Sequence, residues 1–291
     1  MRLLRLLTFL LVALSGLPVA AGGTRDILWL FPDYPPNYIL SGPHKGQGLA
    51  EKRETSIRNA LTVYRHHRMV ANMARIKEEM KHRDNACNGS MQKTQERERF
   101  AIFSAPLLET LPNGLVTRSD RKADFAPFLN SRGELQLARL LQSGKFRLAV
   151  AAGRSYGQYI DADLQAGRDN TSLHPFYATD IFSTGLLQLA RHKSVDAVLG
   201  YPTELCWALL QLKLADNDFC FIPVEGGPPL MHTHVICSRS ATGKAVIDRV
   251  NELLRRGELQ EEAERAYLEW LPAASRARYL QLRRAQKPGN K

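Results

Sequence analysis

The sequence predicts an α/β protein built from two similar units. Short apolar runs bounded by turn residues alternate with amphipathic stretches of helical period, which is the pattern of sheets flanked by helices. The alternation stops near the middle of the chain and begins again, and a single return segment follows, which a repeat array would not need. Once a 21-residue leader is set aside from the 291 residues, the remaining 270 exceed a typical single core and suit two lobes.

The leader is MRLLRLLTFLLVALSGLPVAA. Arg2 and Arg5 precede an apolar run that closes on small residues, with Val19 and Ala21 at the −3 and −1 positions of a cleavage site. Gly16 and Pro18 interrupt the run, and no charge cluster follows to stop transfer, so residues 1–21 read as a secretory signal peptide. No cysteine lies near the cleavage point to carry a lipid anchor, and no later stretch approaches the ~20 apolar residues of a membrane span.

DILWLF reads as a buried strand, stopped by the proline-stiffened loop PDYPPN. GPHKGQGLAEK is a glycine-punctuated loop opening a helix that carries Ile57, Leu61 and Tyr64 at helical spacing and continues through the solvated pair His66 and His67. Asn72 is placed to cap a helix bearing Met73, Ile76, Lys77 and Met80. NACNGS is the next strand; the charged turn KTQERERF leads back into apolar AIFSAPLL, and GLVTR leaves the unit. The second unit runs through the helix GELQLARLLQSG, the strand FRLAVAA, the loop and helix GRSYGQYIDADLQ, and the helix FSTGLLQLARH. It ends with the strand VDAVLGYP and the helix TELCWALLQLKL. After the break EGGPP, the strand HTHVICS and two amphipathic helices return.

The charge is unevenly distributed. Of the net +11, two charges lie in the leader and six in the C-terminal stretch, at Arg276, Arg278, Arg283, Arg284, Lys287 and Lys291, so the body carries +3. A basic tail on a nearly balanced body reads as a solvated or surface-binding extension, and without a recognition motif it predicts no nucleic-acid partner. His232 and His234 share one strand face, but two histidines without a carboxylate do not make a metal site. There is no G-x-S-x-G, HExxH or Walker loop, so neither enzyme activity nor a cofactor is expected. Cys87, Cys206, Cys220 and Cys237 suit disulfides in an exported chain; no spacing is CxxC, and three full pairings are open.

With KGQGLAE, KTQERERFAIFS and CSRSATGKAVIDRVNELL in this order, the chain resembles the type 2 periplasmic solute-binding proteins related to extracellular solute-binding family 3. It looks like the branch carrying KGQG, KTxERExFxxFS and a terminal CS…G…VIxxxN…L, and the resemblance runs to about Leu271. It implies an α/β fold of two lobes, each a mostly parallel sheet flanked by helices, joined by two crossover strands. Residues 22–118 plus 232–271 would form lobe 1, 119–231 lobe 2 and 272–291 the basic tail, with GLVTR and PPLMHTH as the crossings.

The resemblance also assigns roles. Arg97, following Thr94 in the T-x-x-R turn, would grip a ligand carboxylate, and a guanidinium fork at a strand end suits that task independently. Ser155 matches the family's second anion-binding turn, with Arg154 as an extra cation and a helix N-terminus behind. Tyr34 and Tyr38 could stack on a ligand. Two departures stand out: Tyr201 occupies the place of the acid that meets a ligand ammonium, and Ala50 replaces another acid, while Asp196 reads as structural. A small anionic or carboxylate-bearing solute is therefore expected rather than a standard amino acid. The expected protein is a periplasmic monomer, serving an ABC importer or a membrane sensor. The alternative is an interaction or regulatory protein that keeps the fold without a small ligand. The family's strand order makes Cys87 and Cys237 neighbours in lobe 1, and Cys206 would pair with Cys220 in lobe 2.

Overall fold

A computed structural model describes residues 26–152, 154–167, 172–176, 181–191 and 194–286. The leader, Gly153 of the GRSYG loop and the last tail residues, Lys287 and Lys291 among them, lie outside the described residues.

The first unit begins with β1 (Asp26–Phe31), whose Ile27, Trp29 and Leu30 are fully buried. Then come α1 (Leu49–Ala60), β2 (Arg65–Val70), α2 (Met73–His82) and β3 (Ala86–Met91). Asn72 caps α2 by accepting the Arg75 N–H at 2.9 Å, as expected. The short α3 (Gln95–Glu98), β4 (Ala101–Phe103) and β5 (Leu108–Thr110) complete the unit. The second unit contains β6 (Gly114–Arg118), α4 (Leu137–Gln142), β7 (Leu148–Ala151), α5 (Gln158–Ala166) and β8 (Leu173–Phe176). It continues through α6 (Ile181–Ala190), β9 (Ala197–Gly200), α7 (Pro202–Leu212) and β10 (Phe219–Pro223). The chain returns along β11 (Met231–Ser238) into α8 (Ala241–Arg255), α9 (Gln260–Glu269) and α10 (Ala273–Gln286).

The described residues form two sheets. The first has the order β2-β1-β3-β11-β4, with β5 also on β11; the second has the order β10-β6-β9-β7-β8. The β1, β2 and β3 pairings are parallel, as are those of β7 with β8 and β9. The strands next to the crossings, β11, β6 and β10, pair antiparallel to their neighbours, so both sheets are mixed.

Four expectations change. GLVTR is not a crossing at the end of the first lobe: as β6 it lies wholly in the second sheet, between β9 and β10. The chain crosses just before it, at 111–113, and again at 224–230. Gly114 opens β6 so close to β10 that a Cβ would lie 2.6 Å from the Ile222 carbonyl oxygen. His66 and His67 sit on strand β2 and not on a helix, because α1 ends at Ala60. His66 is also partly enclosed, its Nδ1 accepting the Trp29 indole N–H at 3.0 Å.

The C-terminal stretch, read as a solvated extension, is the helix α10. Its Tyr279 is fully buried in the first lobe's core, edge-on to Tyr267, and donates to Glu264 at 3.0 Å. Arg283 pairs with Glu109 and Glu264, so part of the basic charge is neutralised by this docking. At its other end, the Asp216 carboxylate from the second lobe accepts the Ala273 N–H at 3.0 Å.

Cys87 and Cys237 are register partners on β3 and β11 and form a disulfide, with Cα atoms 4.0 Å apart. Cys206 and Cys220, expected to pair, are both free thiols. The period-2 alternation of β10 explains this: Phe219 faces Leu205 and Ala208 of α7, while Cys220 points with Ile222 to the opposite side of the sheet. Cys206 instead turns toward Trp207 and Trp270, and burial pushes its thiol up to about 11.

Candidate functional site

A cleft of about 570 Å³ opens between the two sheets. It is lined from the first lobe by the loop after β1, by α1 and by the turn after β3, and from the second by the loops after β7 and β9. Thr110 and Leu111 line it at the crossing. These are carboxyl ends of strands, where loops gather around the edge of an open sheet and ligands bind. Arg97, Thr94, Tyr34, Arg154, Ser155 and Tyr201 are all brought to this one cleft.

Arg97 stands on α3, which Thr94 caps by accepting the Arg97 N–H at 3.2 Å. Its Nη1 donates to the Gln92 carbonyl at 2.7 Å, which fixes the fork against the end of β3. Among the described residues, no carboxylate lies within ion-pair distance of Arg97, although Glu96 and Glu98 flank it: Glu96 pairs with Lys77 and Glu98 with Lys93. Burial lowers the Arg97 guanidinium somewhat from its ordinary value without discharging it.

Arg154 is placed differently from expectation. It lines the cleft but is not a free cation: both its Nη atoms donate to Glu204, each at 2.7 Å, and Nη2 reaches Asn113 Oδ1 at 3.2 Å. The guanidinium lies 4.7, 5.4 and 5.8 Å from the ring centres of Tyr156, Tyr201 and Tyr34. Burial acts to lower its pKa, and Glu204 together with Tyr34 and Tyr156 outweighs that, holding it well above the usual value. Ser155 lines the cleft, but its hydroxyl donates to Asp161 at 2.5 Å, and Asp161 also accepts the Tyr156 N–H at 2.8 Å. The start of α5 is thus already served by an internal carboxylate and is not left open for an anion.

Tyr34 and Tyr201 join the two lobes. Tyr34 Oη donates to Glu204 at 3.3 Å, and Gln92 Nε2 donates to the Tyr201 hydroxyl at 2.9 Å. Tyr38, the other tyrosine of that loop, is 2 % exposed and stacks on Phe31 at 5.0 Å, so loop packing accounts for most of its ring. Asp196 is structural, as expected: it accepts Arg121 Nη1 at 2.7 Å and the Arg147 N–H at 2.8 Å, outside the cleft lining. His232 and His234 diverge, the first exposed against Glu109 and the second buried, its Nδ1–H donating to the Ser104 carbonyl at 2.8 Å.

Sequence reasoning missed two residues, Arg53 in the cleft lining and Glu204 behind it. Glu204 sits in the first turn of α7, where its carboxylate also accepts the Tyr201 N–H at 2.8 Å. The signal was present in YPTEL, a proline opening a helix with an acid two residues on, but it reads equally as an ordinary helix start. Arg53 on α1 lines the cleft at 2 % exposure, with Nη2 donating to Ser90 Oγ at 2.5 Å. Among the described residues its Nε and Nη1, both shut off from solvent, have no hydrogen-bond partner, and burial pushes its pKa down to about 10.

No protein-family model and no curated protein matches the sequence. Solved structures match its fold. An ancestral arginine-binding protein bound to arginine aligns with a TM-score of 0.60 at 14% identity, over 84% of this chain and 98% of its own. A histidine kinase sensor domain with similarity to periplasmic binding proteins gives 0.59 at 13%, over 85% and 96%. The amino acid ABC transporter substrate-binding protein AbpA of Streptococcus pneumoniae, bound to L-arginine, gives 0.57 at 16%, over 85% and 96%. These likenesses establish the fold: two α/β lobes around a cleft, as in the periplasmic binding proteins.

Proposed function

We propose that this chain is an exported, non-catalytic solute-binding protein that holds a small carboxylate-bearing solute in its cleft, for an ABC importer or a membrane sensor. The observation that carries the reading is Arg97: a partly buried guanidinium in the cleft wall, fixed on one side by the Gln92 carbonyl and free of any carboxylate among the described residues. A fork held in this way matches a carboxylate bidentately. The structural neighbours include proteins bound to arginine and to glutamine. This cleft carries its own guanidinium, Arg154, against Glu204. A ligand cation would have to compete for that carboxylate, so an anionic solute suits the site better than a cationic one.

The test is a thermal-shift screen of the purified chain against small carboxylates, matched amines and neutral analogues. A ligand at 100 times its Kd adds about 2.7 kcal/mol to the native state, a rise in Tm on the order of 5 °C. Shifts with carboxylates alone are expected; shifts with amines alone would overturn the ligand class. One observation favours a second reading, that of an interaction protein without a small ligand. Arg154 and Tyr34, both in the cleft lining, are already engaged with Glu204. That reading predicts no shift with any compound.

A further inference from the structure

We propose that the solute carries a hydroxyl or oxo oxygen on the carbon next to its carboxylate, and no ammonium there, and that Tyr201 and Arg154 set this choice. This rests on the reading of Arg97 above and narrows the class of solute. Gln92 holds both contact groups: its carbonyl accepts Arg97 Nη1 at 2.7 Å, and its Nε2 donates to the Tyr201 hydroxyl at 2.9 Å. Guanidinium and hydroxyl therefore lie within the reach of a single residue. Both side chains line the cleft and both residues are only half-buried, so a small solute can meet the two together.

A tyrosine hydroxyl both accepts and donates. At Tyr201 the Gln92 amide supplies the donor, and among the described residues no acceptor takes the tyrosine's own proton. A hydroxyl or oxo oxygen beside the bound carboxylate would take it. An ammonium offers donors only, and the carboxylate it would seek is closed to it. Glu204 is 4 % exposed, lies behind the lining, and already accepts both Nη atoms of Arg154, the Tyr34 hydroxyl and the Tyr201 N–H. Arg154 itself lines the cleft, its guanidinium 5.4 Å from the Tyr201 ring centre, so an ammonium there would face a like charge. Asp33, the one acid among the described lining residues, is exposed and belongs to the opposite lobe from Tyr201 and Arg154.

The test is calorimetric titration of the purified chain with four acids that differ only at one carbon: glutarate, racemic 2-hydroxyglutarate, 2-oxoglutarate and glutamate. An oxygen-bearing acid should bind about 3- to 10-fold more tightly than glutarate, the worth of one neutral hydrogen bond, and the tighter of the two tells hydroxyl from oxo. Glutamate should bind about 10-fold or more weakly than glutarate, the cost of an ammonium set against Arg154. Tyr201→Phe, which keeps the ring and removes the hydroxyl, should erase the oxygen's advantage, while Arg97→Gln should weaken all four acids. Equal affinities for glutarate and both oxygen-bearing acids, glutamate binding as tightly as glutarate, or a Tyr201→Phe chain that keeps the advantage would each overturn the inference while leaving the Arg97 reading intact. Absence of binding by every acid would overturn both. Should Tyr201→Phe fail to fold, the four-acid comparison on the unaltered chain decides alone.

Discussion

Arg97→Ala is expected to weaken a carboxylate solute by about 1.5–3 kcal/mol, the range for a hydrogen bond to a charged group, with little change in fold stability. Isothermal titration and a melting curve check the two halves of that statement; normal binding by the variant would remove Arg97 from the site. Its place in the cleft wall was legible because the family resemblance puts the T-x-x-R arginine there; the sequence alone reads equally as a surface turn held by Glu96, Glu98 and Arg99. Arg53 and Glu204 were not legible, because their roles depend on which face of a helix meets the cleft. The buried face of α1 includes Glu51, Arg53 and Glu54, so hydrophobic periodicity is silent there. His234 provides a pH test. Burial lowers its imidazole below the ordinary 6.5, with His232 and Lys93 adding to the effect and the Ser104 carbonyl opposing it. The unfolded chain therefore binds a proton that the folded chain refuses, and stability should fall as pH drops below about 6.5. Chemical denaturation between pH 7.5 and 5.5 should show that slope, and His234→Gln should flatten it.

Among the elements, the apolar strands β1, β7, β9 and β11 were readable from their runs, and α2 from its cap and period. β2 was not, since RHHRMV at the sheet edge pairs on one side only and shows an exposed, polar face. The misreading of α10 has a similar origin. Its four arginines outnumber its three large apolar residues, yet Tyr279, with Leu280 and Leu282 beside it, anchors it in the first lobe's core. Tyr279→Ala should cost about 3–4 kcal/mol, as for other buried aromatics cut back to alanine, seen as a lower denaturation midpoint. A change under about 0.5 kcal/mol would return α10 to the status of a surface extension.

At the scale of the whole molecule, the one disulfide stays within the first sheet and leaves both crossings unconstrained, which suits a cleft that opens and closes. The link closes a sequence separation of 150 residues, and in the chain-entropy model its loss by Cys87→Ser with Cys237→Ser should cost about 4–5 kcal/mol. Reduction that left the melting temperature unchanged would contradict this. The two-lobe plan was legible because the strand–helix pattern restarts, whereas the exact crossings were not: β6 looks the same in sequence whichever sheet it joins. Cross-lobe contacts of Tyr34 with Glu204 and Gln92 with Tyr201 likewise depend on how the lobes meet. The central claim is that Arg97 makes this cleft an anion site, and parallel calorimetric titration of the unaltered chain and Arg97→Ala with glutarate tests it most directly. The account predicts saturable binding to the unaltered chain, weakened by about 10- to 100-fold in the variant. Equal affinity for the two chains, or no binding to either, would contradict it.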